Sequence, residues 1–182
     1  MIFTLPNAVS FVRVLLVPVF VWLVLGRDEY TGASLLLGFI GATDWVDGYL
    51  ARRLDQVSAV GKVLDPFADR LAVAAAVIVG WISGALPWLI AALLIAREAM
   101  VAIGAVLVAI AGRGRLDVRR LGKVATFGLY FAIPAFYMYA GTGADPWAWF
   151  AWVVVIPSLM LYYVVAVQYA GDVRRALHDK SR

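Results

Sequence analysis

The sequence predicts an all-α, polytopic membrane protein with six transmembrane helices and a polar cavity that faces the cytoplasm. Three observations carry this prediction: 64% of the 182 residues are hydrophobic, only 15% are charged, and the apolar residues fall in long runs. Soluble domains contain about 25% charged residues, and a helix that spans a bilayer needs about 20 mostly apolar residues. We therefore expect the whole chain, residues 1–182, to form a single membrane domain.

Six apolar segments of sufficient length follow one another, separated by turn residues or charged residues. Their expected bounds are 8–26, 31–52, 59–83, 87–111, 119–141 and 146–170. The first segment has no basic stretch within residues 1–12 and no small-residue cleavage site after it. It is therefore expected to be a span and not a cleaved signal peptide.

The distribution of basic residues predicts the orientation. One set of connections, together with the C-terminal tail, contains Arg52, Arg53, Lys62, Arg113, Arg115, Arg119, Arg120, Lys123, Arg174, Arg175, Lys180 and Arg182. The opposite set contains only Arg27. Basic loops stay in the cytoplasm, so both termini and the basic loops are expected inside. The net charge of +4 then favours contact with anionic lipid head groups over nucleic acid.

Residue types narrow the possible chemistry. Cysteine is absent, and the single histidine, His178, lies in a polar tail. These facts exclude disulfides, thiolate metal sites and a cysteine nucleophile, and they argue against a histidine-based dyad. Acid–base or metal chemistry must therefore rest on carboxylates.

Four aspartates fall within two neighbouring spans. Asp44 and Asp47 are three residues apart in the second span, and Asp65 and Asp69 are four apart in the third, so each pair shares a helix face. At about 1.5 Å per residue, all four lie roughly 8–15 Å below the cytoplasmic surface. Carboxylates are costly inside a membrane and usually mark a functional site.

A cluster of four carboxylates needs counter-charge, because close carboxylates repel and force one another to protonate. Divalent cations supply that charge, and oxygen-only ligands favour Mg²⁺, Mn²⁺ or Ca²⁺ over Zn²⁺. The small residues Gly48, Ala51 and Gly61 on the same faces would admit a flat group or a close helix. Arg52 is placed to bind a phosphate oxygen or to anchor the helix end.

These residues form one continuous pattern, Asp44-x2-Asp47-Gly48-x2-Ala51-Arg52-x8-Gly61-x3-Asp65-x3-Asp69. The pattern resembles the signature of the CDP-alcohol phosphatidyltransferase family, with every signature position and spacing present. Residues 5–13 and 121–126 are similar to weaker features of the family. Since the six-span layout also fits, the resemblance covers most of the chain.

The resemblance implies a metal-dependent transferase of phospholipid biosynthesis in the bacterial cell membrane, with CDP-diacylglycerol as donor and CMP as leaving group. It implies two divalent ions, Mg²⁺ or Mn²⁺, and a homodimer. The metal ligands it implies are Asp44, Asp47, Asp65 and Asp69. Asp69 would also be the general base, while Gly48, Ala51 and Gly61 would accommodate the cytidine and Arg52 the phosphate.

The acceptor alcohol is less constrained by the sequence. Residues 6–20 are similar to the phosphatidylglycerophosphate synthases and to the bacterial cardiolipin synthases of the family. The expected acceptor is glycerol-3-phosphate, and the alternatives are phosphatidylglycerol and, more distantly, an inositol phosphate. Candidate acceptor-binding residues are Arg97, Arg113, Arg115, Arg119, Arg120 and Lys123. Positive-inside charge explains the loop residues equally well, and a buried ion pair with Glu98 explains Arg97.

Two departures from the family pattern weaken the glycerol-3-phosphate assignment and leave room for phosphatidylglycerol as the acceptor. Leu129 stands where a Lys-x-x-Thr-x-x-Gln pattern would have glutamine, and the segment after Arg97-Glu98 is wholly apolar up to Gly112. A non-enzymatic cation transporter is the rival class, since intramembrane carboxylates also serve transport. The second and third spans show no acidic path continuing outward from the aspartates, and transport leaves the small-residue faces unexplained.

Overall fold

The computed structural model describes residues 5–54, 61–110 and 120–178, with side chains at 11–43, 68, 70–100, 102–103, 106, 124–168 and 171. Within these ranges the chain is helical apart from short turns. The helices are α1 (Leu5–Arg27), α2 (Tyr30–Leu54), α3 (Gly61–Ser83), α4 (Trp88–Ile110), α5 (Arg120–Thr142) and α6 (Asp145–His178). The prediction of an all-α fold is confirmed for the described part of the chain.

Each predicted apolar segment coincides with one helix. The bounds agree to within three residues, except that α6 continues from residue 170 to His178. The apolar run ends near residue 170, but the residues that follow include Arg174, Arg175, Ala176 and Leu177, which are good helix formers. The helix therefore continues after the apolar character stops.

Two glycines form the tight turns at one end of the bundle. Gly84 follows α3 with a φ of 76°, and Gly143 follows α5 with a φ of 66°. The Gly143 N–H donates to the carbonyl of Tyr139 at 2.8 Å. A residue with a side chain is strained in this left-handed conformation, so glycine sets the points at which α3 and α5 stop.

The helices form one packed bundle. The most extensive contacts join α5 to α6, followed by α1 to α3, α2 to α5, α1 to α2 and α4 to α6. Tyr137 of α5 is completely buried at the centre, where its hydroxyl donates to the carbonyl of Ala76 in α3 at 2.7 Å. Its ring meets Phe20 of α1 edge-on at 5.3 Å between centroids. One side chain thus connects three helices.

A smaller apolar cluster lies where α1, α2 and α3 meet. Val17, Ile40 and Ala72 are all buried and pack together, one from each helix. The contact pattern shows that α1 and α3 run in the same direction, because Val17 and Ala72 share this layer while Phe20 and Ala76 reach Tyr137 further along. Along α2 and α3, this apolar layer lies one helical turn from Asp44 and Asp69 and two turns from Asp47 and Asp65.

Much of the outer surface is apolar. In α6, Trp149, Val153, Ile156 and Met160 are at least half exposed and follow one another at helical spacing. Two described helical stretches, Val124–Thr142 and Asp145–Gln168, are long and apolar enough to cross a bilayer, and Tyr30–Thr43 and Arg70–Ser83 are shorter apolar stretches. Exposed apolar surface of this extent indicates contact with lipid or with another protein.

Candidate active site

Helices α2 and α3 carry the predicted metal ligands. Asp44 and Asp47 lie in α2, whereas Asp65 and Asp69 lie in α3, and the two helices contact each other. The side chains of these four residues lie outside the described residues. The convergence of the four carboxylates on one metal site, and the role of Asp69 as base, therefore stay predictions.

The helical register nevertheless places two of the four aspartate positions, Asp44 and Asp69, at the same height along the bundle. Asp44 is four residues after Ile40, and Asp69 is three residues before Ala72. Because Ile40 and Ala72 belong to one packed cluster with Val17, one further turn of each helix leads to Asp44 and Asp69. At about 1.5 Å per residue, that level lies about 5–6 Å beyond the Val17–Ile40–Ala72 layer.

The predicted donor-binding residues occupy the same two helices. Gly48, Ala51 and Arg52 lie in the last turns of α2, and Gly61 is the first residue of α3. Their side-chain surroundings lie outside the described residues. All eight signature positions thus lie in the C-terminal half of α2 and the N-terminal half of α3.

Most predicted acceptor-binding residues are not described. Arg113, Arg115 and Arg119 lie outside the described residues, and Arg120 and Lys123 begin α5 with side chains that are not described. Arg97 is the member of this set whose side chain the structure shows.

Arg97 forms the ion pair with Glu98 that the sequence offered as one explanation. Its Nη1 lies 2.8 Å from Oε1 of Glu98. The residue is only 7% exposed, and its guanidinium carbon lies 3.4 Å from the centroid of the Tyr162 ring. A guanidinium stacks favourably on an aromatic face, most strongly where water is excluded. Helix α6 thus supplies a flat surface that fixes the orientation of Arg97.

Glu98 is the centre of this charged network. Besides Arg97, it contacts Nη1 of Arg70 in α3 through Oε2 at 2.8 Å, and it accepts a hydrogen bond from the Tyr162 hydroxyl at 2.6 Å. The Thr126 side chain of α5 also interacts with Tyr162. Two guanidinium groups share one carboxylate, so the three charged residues carry a net charge of +1.

The network is partly open. The side chain of Arg70 is 62% exposed and that of Glu98 is 37% exposed, whereas that of Arg97 is 9% exposed. Arg97 Nε is buried and has no hydrogen-bond partner. A partly exposed site with surplus positive charge can bind an anionic oxygen, for which guanidinium is well suited.

Arg70 and Tyr162 belong to this network, although the sequence predicted no functional role for either residue. Arg70 directly follows Asp69, and its place inside an apolar stretch was a usable signal. Tyr162 gave no such signal, because a tyrosine in an apolar helix is ordinary. Its partner Glu98 lies 64 residues earlier in the chain.

Two cavities in the described part of the chain lie away from the signature positions. One cavity, of about 180 Å³, lies at the turn after α3, and its lining includes Gly84, Phe136, Tyr139 and Trp152. Gly84 follows the last residue of α3, whereas Gly61 is its first residue, so this cavity is distant from the signature positions. Its lining offers no charged group for a phosphate or a metal.

Comparison with known proteins identifies the family. The family model described as CDP-alcohol phosphatidyltransferase matches residues 3–168. Among curated proteins, a CMP-forming cardiolipin synthase of Streptomyces coelicolor is 37% identical, over 96% of this chain and 84% of its own length. A putative cardiolipin synthase of Mycobacterium bovis is 34% identical, over 100% of this chain and 90% of its own.

A second kind of relative has a different name. The CDP-diacylglycerol–glycerol-3-phosphate 3-phosphatidyltransferase of Bacillus subtilis is 35% identical, over 75% of this chain and 78% of its own. The match of the family model over nearly the whole chain decides the class. This chain belongs to the CDP-alcohol phosphatidyltransferase family.

Proposed function

We propose that this protein transfers a phosphatidyl group from CDP-diacylglycerol to an alcohol, with release of CMP, in a reaction that requires a divalent metal. The observation that carries the proposal is the complete signature on two contacting helices, α2 and α3, in a member of this family. The rival proposal of a cation transporter explains the aspartates but not the signature glycines or the relatives' names.

The proposed metal ligands are Asp44, Asp47, Asp65 and Asp69. Their donor set consists of carboxylates alone, which fits Mg²⁺ or Mn²⁺. Two such ions would neutralise the charge on the donor's pyrophosphate and on the leaving phosphate. Phosphoryl-type transfer depends mainly on positioning and charge neutralisation, so a site without histidine or cysteine is chemically sufficient.

The remaining roles fall to single residues. Asp69 accepts the proton of the acceptor hydroxyl. The hydroxyl oxygen of the acceptor attacks the β-phosphorus, which is the phosphorus that carries the diacylglycerol. The bond from that phosphorus to the bridging oxygen breaks, and CMP leaves with the electron pair. Arg52 binds a phosphate oxygen, and the small residues Gly48, Ala51 and Gly61 leave room for cytidine.

We further propose that all six helices cross the membrane and that the active site opens to the cytoplasm. The apolar exposed stripe of α6 and the two stretches long enough to span a bilayer support this arrangement. Trp81, Trp88, Trp147 and Trp149 are all exposed near the turns that follow α3 and α5, as expected for side chains at a membrane interface.

A homodimer is part of the same proposal. The exposed apolar faces of the helices offer surface for a second copy within the bilayer. Native mass measurement in detergent, combined with cross-linking in membranes, would detect the dimer. A monomer in both measurements would contradict it.

Three observations support phosphatidylglycerol as the acceptor, which would make cardiolipin the product. Leu129, in place of a polar glutamine, is 3% exposed and belongs to the apolar core. After Glu98, helix α4 presents Met100, Ile103 and Val106 at 45–60% exposure, a surface that suits the acyl chains of a lipid acceptor. The full-length similarity to cardiolipin synthases points the same way.

Glycerol-3-phosphate, the acceptor expected from sequence, is the second candidate. The surplus positive charge of the Arg70–Glu98–Arg97 network favours a phosphate-bearing acceptor. The name of the Bacillus subtilis relative is consistent with it. Since phosphatidylglycerol also carries a phosphate, the network itself does not separate the two acceptors.

The test is CMP release by purified protein from CDP-diacylglycerol, with Mg²⁺ or Mn²⁺ and one acceptor at a time: phosphatidylglycerol, glycerol-3-phosphate or inositol phosphate. We expect release with phosphatidylglycerol and loss of release in excess chelator, reversed by added metal. Turnover that persists in chelator would contradict the metal requirement. Folded protein that releases no CMP with any acceptor would contradict the proposed reaction.

A further inference from the structure

Arg13 of α1 is a charged side chain with an unusual location. It is only 2% exposed and is the largest of the fully buried side chains in the described part of the chain. Burying a guanidinium is far more costly than burying an apolar group, unless negative charge or hydrogen-bond acceptors lie close to it. Because burial of Arg13 carries this free-energy cost, its charge indicates a role that an apolar side chain at the same position would not fill.

The surroundings of Arg13 follow from the apolar layer of Val17, Ile40 and Ala72. Arg13 lies four residues before Val17 and therefore on the same face of α1. Since α1 and α3 run in the same direction, the corresponding turn of α3 contains Ala68 and Asp69. Ala68 is completely buried, so α3 remains packed into the bundle at this level.

The opposite direction of α2 places a second aspartate position there. One turn beyond Ile40 in α2 is Asp44. The level of Arg13 is thus the level of Asp44 and Asp69, which come from the two helices that α1 contacts. Helix geometry puts this level about 6 Å from the Val17 layer.

We propose that Arg13 is a positioning residue that supplies fixed positive charge to the aspartate level of the site. It keeps the acidic helices α2 and α3 together when no divalent cation is bound, and it weakens cation binding by competing for the same negative charge. This inference rests on the proposed metal site. Four carboxylates and one guanidinium carry a net charge of −3, so divalent cations remain bound in its presence.

The charges predict how the loss of Arg13 changes the stability of the protein and its affinity for a divalent cation. Without Arg13, the aspartates repel one another more strongly in the absence of metal, so the metal-free protein is less stable. The same change removes a competitor, so a divalent cation binds more tightly and stabilises the protein more. A residue that only filled space would lower stability equally with and without metal.

The experiment is thermal unfolding of the full chain in detergent, in chelator and across a Mn²⁺ titration. Arg13→Gln is compared with Arg13→Lys, which keeps the charge, and with Arg27→Gln. Arg27 ends the same helix, is exposed and lies over the ring of Trp22, so its substitution controls for the loss of one positive charge.

For Arg13→Gln we expect a lower unfolding temperature in chelator, a larger stabilisation by Mn²⁺, and a Mn²⁺ midpoint lower by about tenfold, since a neighbouring charge commonly shifts an equilibrium by this factor or more. Arg13→Lys should stay close to the wild type, and Arg27→Gln should match it. An Arg13→Gln variant with the wild-type midpoint and the wild-type stabilisation would overturn the proposal.

A double variant keeps the proposal testable if Arg13→Gln is too unstable in chelator. Arg13→Gln combined with Asp44→Asn removes one charge of each sign, so it should be more stable in chelator than Arg13→Gln alone. Strictly additive losses would overturn the proposal. If Mn²⁺ does not stabilise the wild type, the metal site itself is contradicted, whereas the coupling of Arg13 to Asp44 is still measured in chelator.

Discussion

Helix α5 approaches α6 closely at Gly128, whereas α3, α4 and α6 meet at a network of charged side chains and one tyrosine. In the first interface, a Cβ added to Gly128 would overlap the Ser158 side chain, so the backbones approach as closely as glycine allows. In the second, Arg70, Arg97 and Tyr162 converge on Glu98. The same helix, α6, takes part in both.

The difference between the two regions indicates which substitutions should alter only the stability of the protein and which should also alter its chemistry. In a membrane, apolar burial drives helices together less than it does in water, so close packing of small residues supplies much of the contact energy. Charged contacts are costly there and are usually kept for function. We therefore expect substitutions at the close approach of α5 and α6 around Gly128 to change stability alone. Substitutions of the aspartates in α2 and α3, or of the charged network around Glu98, should change chemistry as well.

The largest effect is expected for Asp69→Asn. Asparagine keeps the size of the side chain but cannot accept a proton from the acceptor hydroxyl, so transfer should fall by about 10³-fold. The measurement is CMP release from CDP-diacylglycerol, beside CDP-lipid binding and the unfolding temperature. Binding and folding should be largely retained. Wild-type turnover in this variant would show that Asp69 is not the base.

The second largest effect is expected for Arg97→Gln. The substitution removes the ion pair with Glu98 and the stacking on Tyr162 from a side chain that is 9% exposed. We expect unfolding to become easier by about 2–3 kcal/mol, measured by denaturant unfolding in detergent.

Arg70→Gln is the matched comparison for Arg97→Gln. Arg70 contacts the same carboxylate at the same distance of 2.8 Å, but its side chain is 62% exposed. Exposed ion pairs contribute little, so the cost should be about 1 kcal/mol or less. Equal losses for the two variants would show that burial and aromatic stacking do not set the strength of this network.

The contrast between the two regions also explains what the sequence could reveal. The helices were predictable to within three residues at most ends, because apolar runs and the glycines of the turns are local signals. The aspartate signature was readable for the same reason, since its eight positions occupy 26 residues of contiguous chain.

The charged network was not predictable as a whole. Arg97 and Glu98 were visible as neighbours, but Arg70 lies 28 residues before Glu98 and Tyr162 lies 64 residues after it. No local pattern joins residues that only the packing of three helices brings together. The burial of Arg13 was hidden for the same reason, because it depends on how α1 packs against α2 and α3.

The third largest effect is a loss of stability expected for Gly128→Ala, at the close approach of α5 and α6. Gly128→Ala introduces a methyl group where Ser158 already lies, and overpacking of this kind should cost about 1–2 kcal/mol. Gly38→Ala is the control, because nothing lies within 4 Å of the added Cβ and alanine favours the helix by up to about 1 kcal/mol. Denaturant unfolding should separate the two variants in opposite directions, while specific CMP release of the folded protein stays unchanged. Stability equal to the wild type in Gly128→Ala would show that α5 and α6 can move apart at little cost.

The smallest effect should come from Tyr137→Phe, which removes one hydroxyl from the centre of the bundle. The lost hydrogen bond to the carbonyl of Ala76 is buried and 2.7 Å long, and the edge-on contact with Phe20 is kept, so we expect a cost of about 1 kcal/mol. Tyr139→Phe, two residues later in α5 and 39% exposed, should change stability by less. Both substitutions lie away from the signature positions, so transfer by the folded protein should not change. A loss of turnover in Tyr137→Phe without a matching loss of stability would contradict the division between a packing region and a chemical region, because it would couple the α5 core to the aspartate level through α3.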